Sequence, residues 1–210
     1  MLSTVVLSSR NRKKSQEVAE ILRPRGITVV SLEEFPEIGE IIEDGQTFAE
    51  NAAKKAAQPA AHLRRWVIGE DSGLMVDALG GAPGVYSARY SGPGATDESN
   101  NQKLIAALRD VPDARRTAAY ICSIALADPS GQITVTAEAR CRGVITREPR
   151  GTNGFGYDPY FLIREYNRTF GELGAIVKQQ ISHRARAFAQ WLENLRRLPA
   201  DRGAPRIQPR

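Results

Sequence analysis

The stretch from Thr117 to Ile145 constrains the fold more than any other part of the chain. Tyr120, Cys122, Ile124 and Leu126 recur at every second position among smaller residues, Asp128-Pro129-Ser130-Gly131 is turn-forming, and Ile133–Ile145 resumes a strand pattern. A long β-hairpin follows, and it commits the chain to a sheet. The flanking segments supply other elements. Leu2–Ser8 reads as a strand, Lys14–Arg23 as a helix with Val18, Ile21 and Leu22 on one face and a stop at Pro24 and Gly26, and Ile27–Leu32 as a second strand. Thr47-Phe48-Ala49-Glu50 has the form of a capping box opening an alanine-rich helix that runs to about Leu63. A strand at Trp66–Gly69 then runs into Glu70-Asp71-Ser72-Gly73, and Gly80, Gly81, Pro83 and Gly84 form a loop. Thr96 or Asp97 caps a helix reaching about Leu108. Tyr160–Ile163 is a short strand, and a last amphipathic helix from Ser182 buries Phe188, Trp191, Leu192 and Leu195. This order predicts a single α/β domain over residues 1–198, an elongated twisted mixed β-sheet with flanking helices forming two lobes about a central cleft.

Charge bears on the partner. The formal surplus of +5 is concentrated in residues 196–210, where five arginines face one aspartate, and the rest of the chain is close to neutral. Proline and glycine punctuate residues 199–210, which read as a flexible tail without a core. A nearly neutral body argues against a nucleic-acid partner, and no membrane partner is expected. Val5-Val6-Leu7 is too short for a signal-peptide core or a membrane span, so a cytoplasmic protein is expected. Cys122 and Cys141 lie in strand patterns outside any CxxC pair and read as reduced packing residues.

Five segments carry candidate chemistry. Gly151-Thr152-Asn153-Gly154-Phe155-Gly156-Tyr157-Asp158-Pro159 is either a tight turn between strands with core aromatics or a loop that brings two rings and a carboxylate close to a planar ligand. Ser9-Arg10-Asn11-Arg12-Lys13-Lys14 sits at a strand-to-helix junction, where free backbone N–H groups and cations either face an anion or form a solvated first turn; it is not a P-loop. Glu43 and Asp44 precede the Thr47 helix, and Glu70 and Asp71 lie at a strand end, so these acids are loop charge or Mg²⁺ ligands. Ser182-His183-Arg184 opens the final helix, with Ser182 as cap and His183 and Arg184 projecting outward near Lys178.

Taken together the pieces resemble the inosine triphosphate pyrophosphatase family, also described as dITP/XTP pyrophosphatases, from about Leu2 to Leu198. The motifs that carry the resemblance are Ser9-x-Asn11-x-x-Lys14, Glu43-x-Gly45-x-Thr47-Phe48-x-Glu50-Asn51-Ala52-x-x-Lys55-Ala56, Glu70-Asp71-Ser72-Gly73-Leu74, Gly80-Gly81-Ala82-Pro83-Gly84-x-Tyr86-Ser87-Ala88-Arg89, Gly154-Phe155-Gly156-Tyr157-Asp158-Pro159 and Ile181-Ser182-His183-Arg184. Six motifs in order are specific where each alone is weak. The resemblance implies hydrolysis of ITP, dITP and XTP to monophosphate and pyrophosphate, clearing nonstandard purines from the nucleotide pool, in a Mg²⁺-dependent homodimer.

Position by position, it implies that Ser9, Arg10, Asn11, Arg12, Lys13, Lys14 and Lys55 hold the triphosphate, that Ser72 touches substrate, and that Glu43 and Asp71 bind Mg²⁺. Asp71 also matches the proton acceptor for the attacking water. Phe155, Gly156, Tyr157, Asp158, Lys178, His183 and Arg184 would surround the purine, with Phe155 stacking on it. Arg10 stands where many relatives carry glycine, Arg12 and Lys13 make the phosphate loop unusually basic, and residues 171–177 lack the expected charged pattern. Two other readings stay open: the same reaction on a pyrimidine or modified nucleotide, and nucleic-acid binding through the arginine tail.

Overall fold

The computed structural model describes residues 2–198. The tail expected at 199–210 lies outside the described residues. The elements are β1 (Thr4–Leu7), α1 (Arg12–Leu22), β2 (Thr28–Ser31), α2 (Phe48–Leu63), β3 (Val67–Val76), α3 (Asp97–Ala107), β4 (Thr117–Ala127), β5 (Ile133–Ile145), β6 (Phe161–Ile163), β7 (Arg168–Thr169), α4 (Ala175–Ile181) and α5 (His183–Arg196). One seven-stranded sheet has the order β2-β1-β3-β4-β5-β6-β7. It is mixed: β1 runs parallel to β2 and β3, while β6 is antiparallel to β5 and β7. Among the described residues no helix is long and apolar enough to cross a membrane.

Along the chain two compact units separate, one of residues 2–71, 122–139 and 184–198, the other of residues 72–121 and 140–183. In the first unit the sheet is covered on both faces, and the side-chain alternation of its strands decides what covers each. Leu7, Ile68, Cys122, Ile124 and Leu126 pack with Val18 and Leu22 of α1 and Phe188, Trp191, Leu192 and Leu195 of α5. Large apolar side chains buried this fully contribute about 1.5–3 kcal/mol each. Val6, Val67, Ala125 and Ala127 point to the other face, against Ala52, Ala56 and Ala60 of α2. The small partners in the alternation of β4 are therefore the side on which the alanine helix comes close. Gly69 marks the closest approach, since a Cβ there would lie 2.0 Å from the Ala52 carbonyl oxygen.

The second unit packs Leu74, Val76, Leu104, Leu108, Tyr120, Phe161 and Phe170 into its own core. Arg116, buried, ties the end of α3 to β5 by donating to the Leu108 and Ile145 carbonyls at 2.7 and 2.8 Å. Thr96 caps α3 in a full capping box with Ser99.

Several expectations shift. The Thr47 hydroxyl accepts from the Glu50 N–H, but the Glu50 carboxylate accepts from Gln46 rather than closing the box on Thr47. α1 begins at Arg12, earlier than expected, because the Asn11 side chain caps it. β7 and α4 have no counterpart in the sequence reading. Glu70 and Asp71 were expected at a strand end, yet they lie inside β3, which continues through the buried Leu74 and Val76.

Candidate functional site

Because successive strand residues point to opposite faces, Glu70 and Asp71 leave β3 in opposite directions and meet different helices. Asp71 emerges on the α2 side. There Asn51 and Lys55, one turn apart on α2, converge on it: Asn51 Nδ2 donates to Oδ2 at 3.2 Å and Lys55 Nζ lies 3.3 Å from Oδ1. Lys55 Nζ is also 2.9 Å from Glu43 Oε1, so the two acids share one buried ammonium. Asn51 accepts in turn from the Gly45 N–H at 2.8 Å, which fastens the Glu43 loop to the start of α2.

Burial pushes the Asp71 carboxyl above the usual carboxylate range, against the pull of Lys55 and Lys14, and nearby Glu43 and Glu70 add to the rise. Burial alone would push the Lys55 ammonium down, but Asp71, Glu43 and Glu70 outweigh it and hold it above the usual lysine value. The asymmetry follows from burial and charge together: burial lifts Asp71 despite its two lysines, whereas at Lys55 three acids outweigh burial. The outcome is an ammonium that stays charged next to a carboxylate inclined to take a proton. Glu43 and Asp71 also suit a divalent ion, because they already converge on one cationic point, and Mg²⁺ usually takes one or two carboxylates with phosphate oxygens completing its shell. Among the described residues no group of three or more acids, histidines or cysteines is arranged for a metal.

Glu70 emerges on the α1 and α5 side. Its Oε2 lies 3.0 Å from Lys14 Nζ, and its Oε1 accepts from Arg184 Nη2 at 3.0 Å and from the Cys122 thiol at 3.3 Å. Arg184 also pairs with Glu17. Its guanidinium is 1% exposed, and although burial works against its charge, Glu70 and Glu17 raise its pKa beyond the ordinary arginine value. The outward projection expected for His183 and Arg184 is thus not observed: both are buried, because each finds a partner in its own unit. Of the basic loop, Ser9 accepts from the Asn11 N–H, Asn11 caps α1, Arg10 donates to the Ile38 carbonyl, and Arg12 lies exposed beside Glu33. Lys13 is exposed, and Lys14 and Ser72 are half-buried.

In the second unit the glycine loop wraps around Asp158. Gly154 takes φ +77°, and a Cβ there would lie 2.0 Å from Asp158 Oδ2, so only glycine lets the carboxylate fold back. That oxygen accepts from the Phe155 N–H at 2.9 Å and meets Lys178 Nζ at 2.7 Å. Lys178 sits over the Phe155 ring, 4.7 Å from its centroid, bringing three of the residues expected around a base into one cluster. Asp97 and Asn101, one turn apart on α3, hold the N–H and the C=O of Gly156. Tyr157 turns inward, its hydroxyl donating to the Ser87 carbonyl at 2.7 Å. The His183 ring stacks on Tyr120 with centroids 4.7 Å apart and an interplanar angle of 10°.

The site implied by the resemblance left out Asn51, Glu17, Glu70 and Tyr120, although Glu70 had been weighed as a Mg²⁺ ligand. Asn51 and Glu70 stood inside the quoted motifs, so the signal was present. Glu17 and Tyr120 read only as a helix polar residue and a strand apolar residue.

Comparison with known proteins adds an independent line. The family model described as Ham1 family matches residues 5–194. The "dITP/XTP pyrophosphatase" of Rhodopirellula baltica is 50% identical over 194 residues, covering 92% of this chain and 93% of that protein, and that of Desulforamulus reducens is 50% identical over 92% and 96%. Among solved structures, a HAM1 protein from Coxiella burnetii aligns with TM-score 0.81 at 41% identity over 90% of this chain and 96% of its own. The nucleoside-triphosphatase, dITP/XTP pyrophosphatase, of Mycobacterium abscessus aligns with TM-score 0.73 at 43% identity over 89% and 97%.

Proposed function

This chain belongs to the Ham1 family, and from that premise we propose that it hydrolyses the nonstandard purine nucleoside triphosphates ITP, dITP and XTP to monophosphate and pyrophosphate. The observation that carries the reading is the buried Asp71, inclined to take a proton and flanked by the Lys55 ammonium and Glu43, on a chain half identical to proteins named for that reaction.

Phosphoryl transfer asks mainly for positioning and charge neutralisation. The N–H groups at the start of α1, with Lys14 and Lys55, hold the triphosphate oxygens. Asp71 takes a proton from a water molecule, whose oxygen forms a bond to the α-phosphorus. The bond from that phosphorus to the oxygen bridging to the β-phosphorus breaks, and pyrophosphate leaves with the bonding pair. Mg²⁺ held by Glu43 and Asp71 would supply further neutralisation of the phosphate charge. At the base end, Phe155 stacks on the purine, Asp158 accepts from the ring N–H of a 6-oxopurine, and His183 with Lys178 donates to the 6-oxo oxygen. A 6-amino group would face those donors with hydrogens of its own and leave them unpaired, which disfavours adenine by orders of magnitude. Arg184, paired with Glu17 and Glu70, anchors the turn that carries His183. The same reading takes the enzyme as a cytoplasmic homodimer acting on free nucleotides.

The test is a product assay with purified protein on ITP, XTP, GTP and ATP, with and without Mg²⁺. Monophosphate and pyrophosphate should appear mainly from ITP and XTP, and only with the divalent ion. Equal rates on all four, or release of orthophosphate, would sink the proposal.

A further inference from the structure

The loop from Gly154 to Asp158 would by itself be a loose mount for a stacking ring. Gly154 and Gly156 take φ +77° and +61°, and glycine gives the segments on either side of Phe155 the widest backbone freedom. Space is not what demands glycine at 156, since the nearest atom to a Cβ there, the Tyr120 hydroxyl oxygen, would lie 4.0 Å away. Helix α3 takes up that freedom. Asp97 Oδ2 accepts from the Gly156 N–H at 2.8 Å, and Asn101 Nδ2 donates to the Gly156 carbonyl at 2.9 Å. The two peptide planes that meet at Gly156 are thereby each held. The first of them also carries the Phe155 carbonyl, which accepts from the Asp158 N–H at 3.2 Å.

Asn101 is 8% exposed, and its amide also donates to the Asp97 carbonyl at 2.8 Å. Both contacts are carbonyl oxygens, so only the NH₂ group can face them. That leaves Oδ1 buried with no hydrogen-bond partner among the described residues. An apolar side chain would fill the place without that cost, so packing alone does not account for an asparagine here. The helix that carries the pair is itself fixed: Thr96 and Ser99 cap it, and Asn100 accepts from the Ser91 N–H at 2.7 Å and donates to the Ala88 carbonyl at 3.1 Å. We propose that Asp97 and Asn101 are positioning residues for nucleotide binding, a clamp from α3 that fixes the backbone at Gly156 and so aims the Phe155 ring at the base. This rests on the base-recognition reading above. Without the clamp Phe155 samples other directions, and a base stacking on it must first order the loop.

No bond to the base changes in the reaction, so a contact to it is equally strong in the ground and transition states, and its loss raises KM without lowering kcat. The experiment is steady-state hydrolysis of ITP by wild type, Asp97→Ala, Asp97→Asn and Asn101→Leu, with inorganic tripolyphosphate as a competing inhibitor that carries no base. Asp97 is exposed, so its variants should keep the fold where the buried Asn101 substitution fails to. Asp97→Ala should raise the KM about fivefold, the scale of one hydrogen bond, with kcat and the tripolyphosphate Ki within about twofold of wild type. Asn101→Leu, where it folds, should do the same. Asp97→Asn retains an oxygen for the Gly156 N–H and should return the KM to within about twofold of wild type. A KM within about twofold in Asp97→Ala or in a folded Asn101→Leu overturns the inference. So does a fall in kcat, a tripolyphosphate Ki that rises in step with KM, or an Asp97→Asn variant no better than the alanine. Phe155→Ala separates the inference from its premise: if that variant leaves the KM for ITP unchanged, the base-recognition reading fails first and takes this inference with it.

Discussion

Replacing Glu70 by glutamine should destabilise the protein far more than a like-sized change usually does. The side chain keeps its shape and loses its charge, while the groups that depended on the charge stay where they are: Arg184 at 3.0 Å, Lys14 at 3.0 Å and the Cys122 thiol at 3.3 Å. Arg184 cannot escape by losing its proton, since a guanidinium stays protonated at any working pH, and at 1% exposure it cannot reach water. Removing one partner of a buried ion pair costs about 3–5 kcal/mol. Glu17 remains beside Arg184, so the cost belongs at the lower end, about 3 kcal/mol. Set against a total stability of about 5–15 kcal/mol, the variant still folds and can be measured. In urea, with an m-value of about 2–3 kcal/mol/M, the midpoint should drop by about 1–1.5 M. A double-mutant cycle identifies the cause: once Arg184→Met has removed the buried cation, Glu70→Gln should cost about 1.5 kcal/mol less than it does in the wild type. Costs that simply add, or a midpoint within about 0.3 M of wild type, would refute the claim that Glu70 holds a buried charge.

Two further outcomes follow from other parts of the structure. Gly154→Ala puts a methyl group where Asp158 Oδ2 now sits and demands a backbone with φ +77°, so the KM for ITP should rise at least about tenfold while the far-UV spectrum is retained; an unchanged KM would mean that the Asp158 placement does not matter. Burial raises the Tyr157 phenol above its usual 10.0, so above that pH the unfolded chain loses a proton that the folded protein keeps, and stability falls as pH rises. Tyr157→Phe should therefore be less stable by about 1 kcal/mol at pH 8, yet close that gap by about 1.4 kcal/mol for each pH unit above 10. Urea unfolding at several alkaline pH values checks this, and parallel curves would count against a buried phenol.

Where a single strand or helix carries its own pattern, the sequence was a good guide. The alternation of large and small residues in β4 and the Phe188, Trp191, Leu192, Leu195 spacing of α5 describe local periodicity, and the structure covers those faces accordingly. α2 has the expected extent because its cap and its alanine content are both local. The sequence reading failed where an element owes its existence to packing. β7 has two residues and α4 seven, too few to show a period, and α4 forms around a buried Lys178 whose partner, Asp158, lies in another loop. The carboxylate pair was misjudged for a similar reason. Glu70 and Asp71 look like a polar strand end, and nothing within a few residues of them announces that each has a cationic partner inside the fold.

The family motifs make Asp71, Lys55, Phe155 and Asp158 legible as a set, and the periods of a strand and a helix determine which face Asp71 and Lys55 leave from. That Glu70 and Asp71 must diverge follows from the two-residue period of a strand, before any coordinate is known. What they diverge toward is settled only by tertiary structure. Glu70 meets Arg184 across 114 residues of chain, Lys14 across 56 and Cys122 across 52, and the Tyr120 ring finds His183 from β4. A side chain's direction is set by its own backbone, but a buried charge is stable only beside the partner that packing brings to it.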